Sequence, residues 1–172
     1  MLETWTAADG TAITIRPIRA EDLALEQEFV NRLSAPTGYQ RLMSTRRPSL
    51  DELKRFTDID HERECALIAT TVVDGTERQI GVARYVKDDS ASGVAEFAIV
   101  LSDDWQGRGL GTVLLQRLVD AARKDGVQRL VGTTLSANSG MLRLAHKVGF
   151  KSAADPGSAT VTDLTLDLAA AT

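Results

Sequence analysis

Apolar and polar residues follow two different periods along the chain, and the changes between them predict its secondary structure. Residues 11–18, TAITIRPI, alternate apolar and polar side chains and predict a first strand. Apolar runs between turn residues predict further strands at residues 64–73, 80–87, 92–101, 127–135, 150–154 and 160–168. The last two flank the turn sequence DPGSA and therefore predict a closing hairpin.

Segments with apolar residues spaced for one helix face lie at residues 22–33, 49–56, 107–126 and 138–149. Asp22 is the predicted cap of the first, and Ser49 with Glu52 forms a capping box for the second. Residues 34–49, rich in turn formers, predict a loop or a broken helix between them.

The order of these elements predicts one α/β domain over residues 1–172, with a mixed (α+β) sheet of six or seven strands and about four helices. A helical crossover joins the strands at 92–101 and 127–135, so we expect these two strands to be parallel. A C-terminal edge strand is compatible with either a monomer or a homodimer.

Composition excludes several classes of protein. The chain has 172 residues, 43% hydrophobic and 26% charged, which is typical of a globular domain. A net charge of −4 argues against a nucleic-acid partner and suits a cationic substrate. With Cys65 as the single cysteine and two histidines, no disulfide and no metal site is predicted. The N-terminus lacks a signal-peptide pattern and no apolar run reaches about 18 residues, so we expect a cytoplasmic protein without membrane segments.

Gly107, Gly109 and Gly111 stand at every second position where a strand gives way to a helix. The first turn of a helix has unpaired N–H groups and a positive dipole end, and glycines allow an anion to approach them. The pattern therefore predicts a phosphate site, with a tight turn that binds nothing as the alternative. A mononucleotide loop is disfavoured because no lysine follows, and the spacing is not that of a dinucleotide fingerprint.

The remaining interpretation is the pattern Gln/Arg-x-x-Gly-x-Gly, met by Gln106, Gly109 and Gly111. Together with the sequence NSGMLRLAHKVGF after the next strand, it resembles the coenzyme A site of the GNAT superfamily of N-acetyltransferases, over about residues 12–168. The resemblance implies that the strands on either side of the glycine helix splay apart and admit the pantetheine arm. It implies an acetyl-CoA site made by Ile99, Val100, Leu101, Gln106, Gly107, Arg108, Gly109, Leu110, Gly111, Thr112, Asn138 and Met141.

Within that site the resemblance gives different roles to different groups. The backbone of residues 99–101 would bond the pantetheine amides, and the N–H groups of residues 107–112 would hold the pyrophosphate. Arg108 would pair with a phosphate, unless it lies on the surface, and Gln106 is otherwise a solvated loop residue. Asn138 would contact the pantetheine arm or the acyl end, in addition to or instead of capping the last helix.

Acetylation of an amine requires its neutral form, and a lysine ammonium has a pKa near ~10.4, so a base is needed at neutral pH. Glu96 is the one charged residue in the apolar strand VAEFAIVL, and strand parity places it on one face with Ala98 and Val100. Such a carboxylate must be paired or face a wet cleft. Glu96 is therefore the candidate base, with a structural ion pair to Arg84 as the alternative.

The segment AEFAIV, then WQGRGLG and the last helix, most resembles the Pat-type protein lysine acetyltransferases, in which a glutamate at the Glu96 position is the base. Many superfamily members carry a tyrosine where this chain has Ala145, and that tyrosine can protonate the leaving thiolate. Ser136, Ser139 or water remain as the acid, and the sequence favours none of them.

The function predicted from these features is transfer of an acetyl group from acetyl-CoA to a primary amine by direct attack. A protein lysine is the first choice of acceptor. A small amine, an amino acid or an aminoglycoside is the alternative, and a non-catalytic acyl-CoA sensor is the second class. Residues 20–60 are expected to form most of the acceptor pocket.

Overall fold

The computed structural model describes residues 2–34, 48–88 and 92–168. These residues form one eight-stranded mixed sheet with helices on both faces. The strands are β1 (Glu3–Thr6), β2 (Ala12–Pro17), β3 (Glu64–Val73), β4 (Thr76–Lys87), β5 (Val94–Leu101), β6 (Arg129–Leu135), β7 (Lys151–Asp155) and β8 (Ser158–Asp167). The α-helices are α1 (Leu23–Arg32), α2 (Leu50–Thr57), α3 (Leu110–Lys124) and α4 (Ser139–Val148). None of these helices is long and apolar enough to cross a membrane.

The predicted fold class is confirmed, with one strand more than expected. Strand β1 was not predicted; it pairs antiparallel with β2, from Glu3 opposite Ile15 to Thr6 opposite Ala12. Its four residues are too few for a clear period, so only the pairing with β2 defines it. The loop predicted at residues 34–49 falls mostly outside the described residues.

The helix caps were predicted with mixed success. The capping box of α2 is present, since Glu52 N–H donates to Ser49 Oγ at 3.2 Å and Ser49 N–H donates to Glu52 at 3.1 Å. Asp22 is the N-cap residue of α1, as predicted, but its side chain makes no cap hydrogen bond. It accepts hydrogen bonds at 2.7 and 2.8 Å from the buried guanidinium of Arg16, because that cation must be paired within the fold.

The strand order is β1-β2-β3-β4-β5-β6-β8-β7, in which β5 and β6 are the parallel pair. They pair only over their first three positions, ending with Glu96 opposite Val131. Beyond that point β5 continues along β4 and β6 continues along β8, so the two strands separate. The predicted splay of the parallel pair is thus present.

A glycine and a phenylalanine occupy the place where the strands begin to separate. A Cβ on Gly132 of β6 would stand 2.6 Å from ring carbon Cε1 of Phe97 on β5. The Phe97 ring therefore lies directly against the β6 backbone, and it also contacts the Phe150 ring at a centroid distance of 4.7 Å. The absence of a side chain at residue 132 allows this contact.

The sheet separates two apolar cores. Ala95 and Phe97 of β5 belong to the core beneath α3 and α4, whereas Val100 belongs to the core beneath α1 and α2. Strand alternation accounts for the division, because neighbouring side chains of β5 point to opposite faces. Glu96 and Ala98 share the face of Val100, which we call the α1/α2 face.

Candidate active site

A cleft of about 720 Å³ opens between the separated ends of β5 and β6. Ten of the residues predicted to bind acetyl-CoA line it: Ile99, Val100, Leu101, Gln106, Gly107, Gly109, Gly111, Thr112, Asn138 and Met141. Arg108 and Leu110 are not among the lining residues. The Leu110 side chain is fully buried in the core, so only its backbone is available to the cleft.

The glycine turn forms one end of the cleft. Gly107 and Gly109 have φ values of 74° and 91°, in the left-handed region that favours glycine, and Gly109 is the N-cap of α3. Within the described residues, no hydrogen bond satisfies the N–H groups of residues 107–112. A Cβ at Gly107 would meet nothing within 4 Å. This end therefore offers unpaired donors and a helix N-terminus that an anion can approach closely.

The third glycine has a different role. A Cβ at Gly111 would stand 3.1 Å from Leu144 of α4 and 3.3 Å from Leu101 of β5. Gly111 thus permits α3 to lie close to both elements, which narrows the cleft. The same short motif combines ligand access with close packing.

The hydrogen bonds at both ends of β5 show which of its backbone groups face the cleft. Asp88 N–H donates to the Val94 carbonyl and Ser102 N–H to the Ile80 carbonyl, each at 2.9 Å. The β4–β5 register is uninterrupted between them, so even-numbered residues of β5 bond β4 and odd-numbered residues face β6. The backbone groups of Ile99 therefore face the cleft.

This alternation corrects one expectation about the pantetheine contacts. The backbone of Val100 is directed to Val82 on β4, so only its side chain lines the cleft. Leu101 faces the cleft, and its carbonyl accepts a hydrogen bond from Gln106 Nε2 at 3.3 Å. Gln106 is therefore attached to the end of β5 rather than free in solvent.

The last helix contributes residues that the sequence interpretation missed. Arg143 and Lys147 of α4 line the cleft, one turn apart on the same helix face. Their four-residue spacing on the helix that Asn138 caps could have indicated from the sequence that they share one face. They add positive charge to the lining of the cleft, which fits a ligand with several phosphates.

Asn138 is a helix cap, as its position suggested. Its Oδ1 accepts a hydrogen bond from Met141 N–H at 3.1 Å, at the start of α4. Because this bond uses the side-chain oxygen, the amide NH₂ stays available to the cleft. The expected ligand contact of Asn138 remains a prediction.

Hydroxyl groups in the cleft also differ from those expected. Ala145 is fully buried in the core, so the position of the missing tyrosine does not face the cleft. Ser136 Oγ lies 2.7 Å from Thr162 Oγ1 on β8, and neither Ser136 nor Ser139 lines the cleft. Among the described residues, hydroxyls on the β6 wall come from Thr133 and Thr134. The strand sequence GTTL did not indicate that these hydroxyls line the cleft.

Arg108 lies behind the glycine turn. Its guanidinium pairs with the Asp9 carboxylate and stacks 3.8 Å from the centre of the Trp105 ring. Both partners hold the side chain away from the cleft lining. The expected phosphate contact of Arg108 stays a prediction that this geometry does not favour.

Glu96 lies at the last paired position of β5 and β6, where the cleft begins. Its side chain is exposed on the α1/α2 face, and Ala98, two residues further along that face, lines the cleft. Two residues of a strand span about 6–7 Å, a distance that the extended Glu96 side chain and one ordered water can span together. Arg84, the alternative partner, is paired instead with the fully buried Glu26 at 3.4 Å.

Comparison with known proteins identifies the family. The family model described as "Acetyltransferase (GNAT) domain" matches residues 12–151, which is most of the chain. The acetyltransferase PA5475 of Pseudomonas aeruginosa is 35% identical over 153 residues, which cover 88% of this chain and 82% of that protein.

The chain belongs to the GNAT acetyltransferase family.

Solved structures agree with this assignment of the GNAT domain. The GNAT domain of S. lividans PAT matches with a TM-score of 0.86 and 26% identity over 97% of both chains. The yncA protein of Salmonella typhimurium, described as an acetyltransferase and solved with its cofactor acetyl-CoA, matches with a TM-score of 0.73 and 26% identity over 91% and 94% of the two chains. The predictions of a GNAT fold and of an acetyl-CoA-dependent N-acetyltransferase are confirmed by these matches.

Proposed function

We propose that this GNAT domain transfers the acetyl group of acetyl-CoA to the side-chain amine of a protein lysine, with Glu96 as the base. The observation that carries the proposal is the position of Glu96 at the apex of the splayed strands, exposed on the α1/α2 face. The resemblance of AEFAIV and WQGRGLG to Pat-type enzymes, and the structural match to the GNAT domain of S. lividans PAT, support the choice of acceptor.

The residues of the cleft fit acetyl-CoA along its whole length. The unpaired N–H groups of the glycine turn, together with Arg143 and Lys147 of the cleft lining, suit the phosphates. Backbone groups of Ile99 and Leu101 suit the amides of the pantetheine arm, because they lack a neighbouring strand. When bound, acetyl-CoA supplies an activated thioester carbonyl.

The proposed chemistry begins with a proton. Glu96 accepts it from the acceptor ammonium through one water, which leaves a neutral amine. The amine nitrogen then forms a bond to the thioester carbon, the carbon–sulfur bond breaks, and the sulfur departs with the electron pair as a thiolate. The second proton of the attacking nitrogen passes to solvent or to the thiolate. Thr133 on the β6 wall is the hydroxyl on the same face as Glu96, since Val131 is opposite Glu96 and strand side chains alternate.

The acceptor enters from the α1/α2 face of the sheet. Helices α1 and α2 pack on the α1/α2 face, where Arg84 of β4 bonds Glu26 of α1 and the Phe56 carbonyl of α2. The guanidinium of Arg84 also stacks 5.0 Å from the centre of the Phe56 ring. These contacts bring residues of the 20–60 region to Arg84, which is opposite Ala98 in the β4–β5 pairing, and this supports an acceptor pocket on the same face as Glu96.

The test is Glu96→Gln, which keeps the shape of the side chain and removes the proton acceptor. Turnover with acetyl-CoA and a lysine-bearing protein should fall by roughly 10²–10⁴ at neutral pH, the usual contribution of a general base. Raising the pH should recover part of the loss, because more of the acceptor amine is then already neutral. Affinity for acetyl-CoA should not change, since backbone groups elsewhere hold the cofactor.

Glu62→Gln is a matched control, because Glu62 is an exposed glutamate beside the start of β3. It should turn over like the wild type. A stable Glu96→Gln protein within threefold of wild-type turnover would remove Glu96 from the mechanism. Acetylation of free amino acids or aminoglycosides, without acetylation of protein lysines, would make the acceptor a small molecule. No thiol release above background with any amine would leave a sensor domain.

A further inference from the structure

We propose that the N-terminal hairpin, formed by β1, β2 and their connecting turn, positions the glycine turn for acetyl-CoA, with Arg108 as its tether. This inference rests on the proposed binding of acetyl-CoA at the glycine turn. It makes Arg108 a positioning residue and gives a role to a strand that the sequence did not predict.

The first contact joins the turn of the hairpin to the glycine turn. The Asp9 carboxylate pairs with the Arg108 guanidinium, which lies over the Trp105 ring at 3.8 Å. Asp9 is itself held in place, because its Oδ1 accepts a hydrogen bond from Thr11 N–H at 2.9 Å. Arg108 is thus fixed from two sides, between the glycines with positive φ values.

Two further contacts attach the hairpin to α3. A ring carbon of Trp5 lies 3.6 Å from the point where a Cβ on Gly109 would stand. Two turns further along α3, the Arg117 Nε donates to both oxygens of Glu3 at 2.6 and 2.8 Å. The hairpin therefore follows α3 from its N-cap onward, on the side of the turn away from the cleft.

These contacts matter because of the glycines. A glycine has more backbone freedom than any other residue, and that freedom is lost when the turn closes on a ligand. Contacts that already hold the turn reduce this entropic cost and so increase affinity. Trp5, Asp9 and Arg108 are not among the cleft-lining residues, so their effect on affinity must be indirect.

The direction in which Asp9→Asn changes the affinity for acetyl-CoA distinguishes a tether from a phosphate ligand. If Arg108 were a phosphate ligand restrained by Asp9, removing the Asp9 charge would release it and strengthen binding. Loss of a negative charge near an anion site would act in the same direction. If Arg108 is a tether, the same substitution loosens the turn and weakens binding. Asp9→Asn is suitable because asparagine can still accept the Thr11 hydrogen bond.

The experiment measures acetyl-CoA affinity by calorimetric titration of Asp9→Asn, Arg108→Ala and the double variant. The pair is exposed, so we expect Asp9→Asn to weaken binding by only about two- to fivefold. The double variant should bind no more weakly than Arg108→Ala, because both changes break one contact. The KM for acetyl-CoA should rise accordingly, while kcat at saturation stays within about twofold of wild type.

Asp167→Asn is the matched control, because Asp167 is as exposed as Asp9 and pairs with Arg129, where β6 begins and β8 ends. It should leave the affinity for acetyl-CoA unchanged. A general loss of stability, in contrast, would weaken binding by this control as well. Unchanged or stronger binding by Asp9→Asn, or additive losses in the double variant, would overturn the tether. Gly107→Glu tests the site separately, because a Cβ at Gly107 meets nothing within 4 Å and this glycine lines the cleft. If Gly107→Glu also binds normally, the proposed site itself is wrong; if only Gly107→Glu binds weakly, the tether alone fails.

Discussion

Gly132 follows the last paired position of β5 and β6, and its lack of a side chain admits the Phe97 ring. A methyl group at this position would stand 2.6 and 2.9 Å from two carbons of the Phe97 ring and 3.1 Å from the Phe97 carbonyl oxygen. Real Cβ atoms do not approach other atoms at 2.6 Å, so Gly132→Ala must displace the ring or the strand. Phe97 is buried against Phe150 and has little room to turn.

The cost can be estimated from that overlap. Extra methyl groups in a packed core destabilise by about 1–3 kcal/mol. For a chain of this length, each kcal/mol lowers the melting temperature by roughly 2–4 °C. We therefore expect Gly132→Ala to melt roughly 2–12 °C below the wild type in a calorimetric scan.

A second substitution tests the cause. Phe97→Leu removes the ring carbon at 2.6 Å and should cost about 1 kcal/mol by itself. Combined with Gly132→Ala, it should cost clearly less than the sum, because the clash is gone. Gly140→Ala is the control, since a Cβ there meets only an Asn138 oxygen at 3.8 Å and the helix should be slightly stabilised. A Gly132→Ala protein with the wild-type melting temperature, or additive losses in the double variant, would refute the contact as the cause.

Two further predictions concern the ligand and acid stability. Gly107→Glu places a carboxylate at the open, cleft-lining glycine of the turn and should weaken acetyl-CoA binding at least tenfold, about 1.4 kcal/mol, in a titration. Gly126→Glu is the control for backbone strain and should bind normally, because its φ of 81° is close to the 74° of Gly107 and it lies at the far end of α3. Burial raises the pKa of Asp22, but hydrogen bonds from Arg16 and Arg19 more than offset it and hold that pKa below its usual value. Because the pKa of Asp22 is lower in the folded state, its ionised carboxylate stabilises the fold at pH values above the unfolded-state pKa near ~3.9. That stabilisation is lost as the pH falls through the folded-state pKa. Asp22→Asn should therefore flatten the fall of melting temperature below about pH 4. An Asp22→Asn protein that loses stability in acid as steeply as the wild type would contradict this.

The parts of the fold that the sequence predicted are those with strong local signals. Strand β3 has the predicted bounds, Glu64–Val73, because an unbroken apolar run between turn residues has few other interpretations. The capping box and the glycine turn were found for the same reason: each is a short motif whose members contact one another. The helical crossover between β5 and β6 predicted that this pair is parallel, and the family resemblance implied its splay.

The parts that were missed depend on contacts between distant residues. Strand β1 is defined by its partner β2, and Asp22 bonds Arg16 on another element instead of its own helix. Arg108 was placed on a phosphate because the motif alone was visible, whereas its partner Asp9 lies 99 residues away. No local pattern relates such pairs, so only the folded chain shows them.

The alternation of β5 connects the cofactor side of the site with the acceptor side. Its odd-numbered residues turn their backbone groups toward the separated edge, and their side chains pack under α3 and α4. Its even-numbered residues bond β4 and turn Glu96, Ala98 and Val100 to the opposite face. In the proposed function, odd-numbered backbone groups of β5 hold a ligand between β5 and β6, whereas Glu96, the proposed base, stands among the even-numbered side chains. A one-residue shift in the β4–β5 register would exchange the two sets and bury Glu96 beneath α3. The long antiparallel pairing of β4 with β3 and β5 fixes this register, and it therefore keeps the cleft-facing backbone groups of β5 and the Glu96 side chain in the positions that the proposed function needs.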